Sequence, residues 1–501
     1  MSSLSSEEDR IALRSMSRSE KIAKGKNSSS KSTTLSKELG QQKLWKLRPQ
    51  FSGLKIFDKL AANEFLPKKE QRLRENRALS EIVDFASQQA PYYKTLFKKL
   101  RVSAAKIKSA EDLAILPSLS KYTVQYQGVA LQAQSLPVGQ KPYGFTKSSG
   151  TTGKPTKILQ TELSNFFFSL LKQRELRWFR LNIMKTLANI RLPSQLPRTS
   201  QNRQLEIENT LELKTWPYIG KFFHTGPFLG YSVFNSIDRQ ADWLYLRCPD
   251  YLVSYSESLE HLALTYKHRI TPSTLKAFIA ISEQLTPNMY KNINKIFGIP
   301  IYQNYGLNEI GIVASKCREG GLYHIHTEHC LAEIVDEEGN HCKAGETGKI
   351  LVTTLTNYGM PLFRYDTDDL AMAVEGPCPC GRTLPTFGEV VGRYSRIAYL
   401  PENTLEYVGA IREALDQMPS ELSKNLRQFQ VHQFLDNRFE LRLFAPGGLP
   451  QDFSKRINAS WEKAVDENNL SLAIIEVNKI HRSPGGKFQD FTSDYFPAAD
   501  K

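Results

Sequence analysis

No stretch of the 501 residues is apolar over the ~18 positions that a bilayer-spanning helix requires. The start lacks the continuous apolar core of a secretory signal. No 20–50-residue repeat of the solenoid kind is visible. Cysteine is scarce, with six in all: Cys248, Cys317, Cys330, Cys342, Cys378 and Cys380. Clustering of the last five between 317 and 380, without an export signal, favours metal or redox-sensitive chemistry in a reducing, cytoplasmic compartment over a disulfide framework. The body of the chain also lacks net charge. Residues 109–501 carry 42 Lys and Arg against 41 Asp and Glu. A nucleic-acid groove through that body is therefore not expected, because it needs uncompensated cations.

The excess charge sits at the front. Residues 1–108 hold 24 basic and 11 acidic side chains, almost the whole of the +14 total. Residues 1–43 are rich in Ser and Lys and poor in large apolar groups, a composition that predicts a disordered basic tail. A transit peptide is disfavoured by Glu7, Glu8 and Asp9. The tail serves solubility or an acidic partner. From Leu44 the pattern turns amphipathic and helical, as in "LSEIVDFASQQ" and "YYKTLFKKL".

Further on, short β-rich runs alternate with helical ones. "RCPDYLVSYSESLEHLALTYKH" reads as strand, turn and helix, and "LKAFIAISEQL" repeats the pattern. This predicts an α/β body with a largely parallel sheet. "LAEIVDEEGNHC", "GKILVTTLTNYGMPLFRY" and "DLAMAVEG" predict antiparallel strands joined by Gly and Asn turns. The last 110 residues read as a small α+β unit.

The strongest local signal is "SSGTTGKPTK", residues 148–157. Two glycines and several hydroxyl side chains make a loop whose N–H groups can wrap a polyphosphate, with Lys154 and Lys157 to neutralise it. It is not the GxxxxGK[ST] loop. "YQNYGLNEIG" (302–311), "RYDTDDL" (364–370) with "VGRY" (391–394), and "SPGGKFQDF" (483–491) follow it. In this order the four stretches resemble the adenylate-forming superfamily of acyl-CoA synthetases, adenylation domains and luciferases. "APYYKTLF" near residue 90, "LPSLSK" near 117 and "CPCGRTLP" (378–385) are similar to segments of its phenylacetate–CoA ligase-like branch. The resemblance covers roughly residues 50–495.

The resemblance implies a large N-terminal adenylation domain, residues 44–393, with mixed sheets and a β-rich subdomain. A small mobile α+β lid domain would occupy 394–501. The implied reaction is ATP-dependent activation of a carboxylic acid to an acyl-adenylate, followed by transfer to coenzyme A. Ser148, Ser149, Gly150, Thr151, Thr152, Gly153 and Lys154 would hold the phosphates. Glu309 would hold Mg²⁺, a hard cation suited to carboxylate oxygens. Tyr305 would stack on adenine beside Gly306 and Asn308. Asp369 would accept from the ribose hydroxyls, and Arg393 would contact ribose or phosphate. Lys487 would bridge carboxylate and α-phosphate, and with Glu309 is the catalytic candidate.

Three positions depart from the family pattern. Asn308 stands where Thr is usual, Asp368 where Gly is usual, and Ser395 and Arg396 where the hinge normally carries Asp or Lys. Cys317, His324, Cys378 and Cys380 make the three-Cys, one-His ligand set of a closed structural Zn²⁺ site, and the resemblance supports it. His326, His329, Cys330 and Cys342 are spare ligands, and reduced cysteines packed as small apolar groups are the alternative.

The acceptor stays open between coenzyme A, a separate acyl carrier protein and an amine. A non-catalytic binding protein on the same fold and a homodimer stay open as well. The stripe "TWPYIGKFFHTGPFLGYSVF" (215–234) would suit an aromatic acid but is more often simple core, with His224 a satisfied core histidine.

Overall fold

The computed structural model describes residues 53–147, 156–282, 284–393, 400–401, 403–436, 438–465, 470–481 and 491–495. The basic tail lies outside the described residues, as do 148–155 of the phosphate loop, the Ser395–Arg396 hinge and Lys487.

A twelve-stranded mixed sheet runs through the larger part of the chain. Its parallel half places Phe228–Ser232, Leu187–Arg191, Tyr251–Tyr255, Ala277–Ile281 and Ile301–Leu307 side by side. Tyr251–Tyr255 and Ala277–Ile281 are buried along their whole length. Continuous apolar runs with both faces covered are what a parallel sheet needs, so the strand–helix alternation in the sequence is realised. Ser256–Tyr266 and Pro287–Phe297 are the crossover helices. The second starts with a Thr286 cap and Pro at its first turn and stops at Gly298, at φ 61°.

At Ile301–Leu307 the sheet changes character. Gly311–Lys316 turns back antiparallel onto it, and Tyr323–Ile325, Thr386–Arg393, Tyr365–Ala373, Thr347–Thr354 and Cys330–Val335 continue antiparallel to the edge. Loops that gather at this junction bring together segments far apart in sequence.

Two segments near the front brace one of those loops. Pro91–Leu100 is a helix whose Tyr93 is 1 % exposed. The Tyr93 hydroxyl donates to the Pro361 carbonyl and accepts from the Phe363 amide, both at 3.1 Å. Leu119 exchanges backbone bonds with Arg364 and Asp366. "APYYKTLF" and "LPSLSK" thus fold onto the start of "RYDTDDL".

A separate four-stranded sheet is formed by Ser471–Glu476, Arg438–Phe444, Gln428–Gln433 and Phe491–Ser493, with helices Thr404–Asp416 and Gln451–Ala464. It has its own apolar core around Phe439, Phe453, Ile457 and Trp461. It meets the larger unit where Lys267 Nζ donates to Ser423 Oγ (2.9 Å) and Arg427 faces Asp238 (3.5 Å). Among the described residues, no helix is long and apolar enough to cross a membrane.

Candidate active site and metal centre

Glu309 sits at the tip of the hairpin between Ile301–Leu307 and Gly311–Lys316. Two glycines make the hairpin tight. A Cβ on Gly306 would lie 2.7 Å from the Gly311 carbonyl oxygen, and Gly311 has φ +99°. Glu309 is 7 % exposed, and Tyr365 donates its hydroxyl to Oε1 across 3.4 Å. Tyr365 opens the strand that carries Asp369. Asp369 in turn accepts from the Tyr305 hydroxyl at 2.8 Å. The Glu309 hairpin and the strand Tyr365–Ala373 are thus joined by two crossed bonds, each carboxylate partnered by a tyrosine of the other segment.

Asp368 answers the question posed by its replacement of Gly. Its backbone is left-handed, φ 65°, a conformation that Gly adopts freely and Asp more readily than most residues. Its amide donates to Asp366 Oδ1 at 2.9 Å, closing a short local turn. The Thr367 hydroxyl takes the Asp369 amide and donates to the Ile350 carbonyl. Asp369 pairs with Arg393 across the next strand, which brings the "VGRY" backbone beside it. Lys157 is exposed at the start of the strand that leaves the phosphate loop, and Asn308 is exposed beside Glu309. Ser148 to Lys154 and Lys487 fall outside the described residues.

The aromatic stripe divides. Trp216, Ile219 and Phe228 are core, whereas His224 is exposed, contrary to its expected place in the interior. Tyr218 is 45 % exposed and adopts φ 66°, ψ −61°, the centre of a tight turn in which the Ile219 amide donates to the Pro217 carbonyl. Its ring meets Phe168 edge-on at 5.1 Å, and Phe168 packs over Gly311.

Cys317, His324, Cys378 and Cys380 bring their ligand atoms within 4.8 Å of one another. Cys317 Sγ lies 3.4 Å from Cys378 Sγ, and His324 Nε2 lies 3.3 Å from Cys380 Sγ. The Gly320 amide points at Cys317 Sγ (3.3 Å), and any side chain at Gly320 would collide with Cys378. Burial works against a Cys317 thiolate, but donors from His324, Gly320 and Cys378 outweigh it and bring the group down to about 6. Burial and neighbouring sulfur push Cys378 up to about 12. A cation between them would offset the charge of thiolates brought this close together. The soft S₃N donor set suits Zn²⁺.

The spare ligands are engaged elsewhere. His326 Nε2 meets Ser315 Oγ (3.0 Å) and its Nδ1 meets Arg174 (3.3 Å). Cys330 lies against the Val313 carbonyl, and Cys342 against Gly348. His329 bonds the Ile310 carbonyl and Thr356.

Beside the cluster lies a buried ionic knot. Arg174, fully buried, pairs with Glu328 (2.8 Å) and Glu64 (3.3 Å). Burial alone would raise the Glu328 carboxyl, but the Arg174 guanidinium holds it below its usual range. Glu64 also takes Arg177, Arg382 and the Trp178 indole N–H. Trp178 stands edge-on to His324, and Arg382 lies over Trp178 at 4.5 Å. The Cys378–Cys380 segment is thereby fastened to the helix Gly53–Asn63 and its following turn.

No protein-family model matches the chain. Curated relatives do. The phenylacetate–coenzyme A ligase of Thermus thermophilus is 26% identical over 350 residues, 66% of this chain and 72% of that protein. That of Escherichia coli is 29% identical over 199 residues, 38% and 41% of the two. The chain is thus similar to phenylacetate–coenzyme A ligases, in agreement with the adenylate-forming family that its motifs resemble. A solved 2-hydroxyisobutyryl-CoA ligase in the postadenylation state, in complex with its acyl-AMP, superposes with a TM-score of 0.65 at 15% identity, covering 87% of this chain and 92% of that one. That likeness concerns the fold alone.

Three side chains beside the site were not singled out for it by the motifs. Tyr365 belongs to "RYDTDDL" but was passed over for its acidic neighbours. Gln160 lies just beyond the phosphate loop. His329 has the residue type of a metal ligand, yet it bonds Thr356 and the Ile310 carbonyl.

Proposed function

We propose that the chain activates a carboxylic acid with ATP to an acyl-adenylate and passes the acyl group to coenzyme A. The observation that carries this is the pairing of Glu309 with Tyr365 and of Asp369 with Tyr305, which ties the Glu309 hairpin to the strand that bears Asp369. In this reading the phosphate loop and Lys154 cradle the nucleotide tail, and Glu309 offers a hard oxygen to Mg²⁺. Magnesium there would offset phosphate charge as pyrophosphate departs. Asp369 accepts from the ribose hydroxyls. Tyr305, its hydroxyl committed to Asp369, presents its ring to the base. Lys487 brings a mobile cation to the α-phosphate from the segment after 394, which acts as the lid. Catalysis of this kind rests on placement and charge, with no covalent enzyme nucleophile.

An aromatic acid fits best. The relatives are named phenylacetate–coenzyme A ligases, and Phe168, with Tyr218 against it, packs over Gly311 just after the Glu309 turn. Cys317, His324, Cys378 and Cys380 would hold a structural Zn²⁺ that takes no part in the reaction.

Pyrophosphate release from ATP across a panel of aryl and alkyl acids, with and without coenzyme A and with mass detection of products, tests the reading. Acid-dependent release with an acyl-CoA product is expected. Release without thioester formation would move the acceptor to a carrier protein or an amine. Absence of any acid-dependent release would overturn the enzyme reading.

A further inference from the structure

The turn that carries Glu309 is gripped by its backbone. The Glu309 carbonyl accepts from Gln160 Nε2 at 3.2 Å, and the next carbonyl, of Ile310, accepts from His329 Nε2 at 2.8 Å. Both donors come from distant parts of the chain. Gln160 lies on Lys157–Thr161, the strand that emerges from the phosphate loop. Its amide nitrogen also meets Thr146 Oγ1 (3.3 Å) on the strand that enters that loop, and its carbonyl oxygen accepts from the Ser164 hydroxyl (2.9 Å). One amide thus ties both stems of the phosphate-loop hairpin to the backbone of Glu309.

His329 supplies the opposite grip. It is 1 % exposed, and its Nδ1 lies 2.7 Å from Thr356 Oγ1. A carbonyl only accepts, so Nε2 carries the proton. Bare Nδ1 then accepts from the threonine hydroxyl. A neutral ring satisfies both partners, so its orientation is fixed at both ends. The segment that bears Thr356 is itself anchored, since Asn357 donates to the Leu159 carbonyl at 3.0 Å, next to Gln160. The grips form a closed circuit: phosphate-loop strand, Glu309 turn, His329, Thr356 segment, and back to the same strand.

We propose that Gln160 and His329 are positioning residues that hold the Glu309 turn by two consecutive carbonyls and set its carboxylate in register with the phosphate loop. The proposal rests on the reading of Glu309 as the magnesium-holding carboxylate. Neither side chain touches the reacting atoms. Their effect is on where Glu309 stands relative to the polyphosphate, so it is felt in the magnesium dependence of adenylation.

The test is a Mg²⁺ titration of acid-dependent pyrophosphate release at fixed ATP, with KM for the acid measured alongside. Gln160→Met and His329→Leu remove the donors, His329→Gln keeps an amide N–H for the Ile310 carbonyl, and Glu309→Gln reports on the carboxylate itself. Half-saturating Mg²⁺ is expected to rise roughly 5- to 10-fold in Gln160→Met and His329→Leu, the scale of one lost hydrogen bond. KM for the acid should stay within about twofold, and His329→Gln should recover most of the shift. Should His329→Leu not fold, Gln160→Met at the half-buried Gln160 carries the comparison. Lower yield or melting temperature with an unchanged Mg²⁺ midpoint in both donor-removing variants would reduce the two residues to scaffolding and overturn the proposal. An unchanged midpoint in Glu309→Gln as well would overturn the reading of Glu309 beneath it. A shift in Glu309→Gln alone would overturn the positioning role and leave that reading standing.

Discussion

The Tyr305 hydroxyl reaches across from its own strand to donate to Asp369 Oδ2 at 2.8 Å. The bond fixes the rotation of the tyrosine ring, which stands edge-on to Phe387 at 5.7 Å, and orients the carboxylate proposed to read the ribose. Tyr305→Phe keeps the ring and deletes the donor. KM for ATP should rise several-fold, about 1–2 kcal/mol for a bond to a charged acceptor, while KM for the acid stays unchanged. ATP titration of pyrophosphate release checks it.

The left-handed backbone at Asp368 makes a second prediction. Asp368→Asn tolerates φ 65° and keeps the melting temperature within a degree or two. Asp368→Val forces a β-branched side chain into that conformation and should cost about 1–3 kcal/mol. Thermal denaturation of the two variants separates them.

Zinc is predicted at about one ion per chain by elemental analysis. Cys378→Ser should lose it and melt at lower temperature. A metal-free wild-type protein with unaltered melting would remove the metal from the Cys317–Cys380 site.

Glu75 supplies a pH prediction. Burial pushes its carboxyl up to about 7, against the lowering bond from Thr327. The folded group holds its proton more tightly than the unfolded one, so its favourable contribution is complete below about 4.5 and is lost as pH rises to 7. Glu75→Gln should therefore match wild type in melting temperature near pH 4.5 and exceed it at pH 8. Equal differences at both pH values would contradict the assignment.

The parts of this molecule that are legible in sequence are those encoded locally. The run of apolar strands, the Gly-bounded hairpin and the ordered motifs point to the sheet, to Glu309 and to Asp369. Cys317, His324, Cys378 and Cys380 were likewise readable as a ligand set, and the structure brings them together. What could not be read depends on chain closure. Gln160 meets Glu309 across 149 residues, and no periodicity announces that meeting. His329 looked like a metal ligand because its type and neighbourhood were right, yet the hairpin turns its ring toward Ile310. His224 fails for a local reason, because the tight turn at Tyr218 brings part of an aromatic stripe out of the core. At Asp368, where Gly is usual, the backbone is left-handed, a conformation that a motif comparison does not display.

The knot around Glu64 also orders events during synthesis. Arg382, one of its partners, is made 318 residues later. At ribosomal rates of 5–20 residues per second, the helix Gly53–Asn63 and the turn after it wait roughly 15 to 60 seconds for that partner. Arg174, Arg177 and Trp178 are made before it, so Arg382 completes the knot and does not start it. The front of the chain is made first, yet its ionic knot closes only once residue 382 has been made.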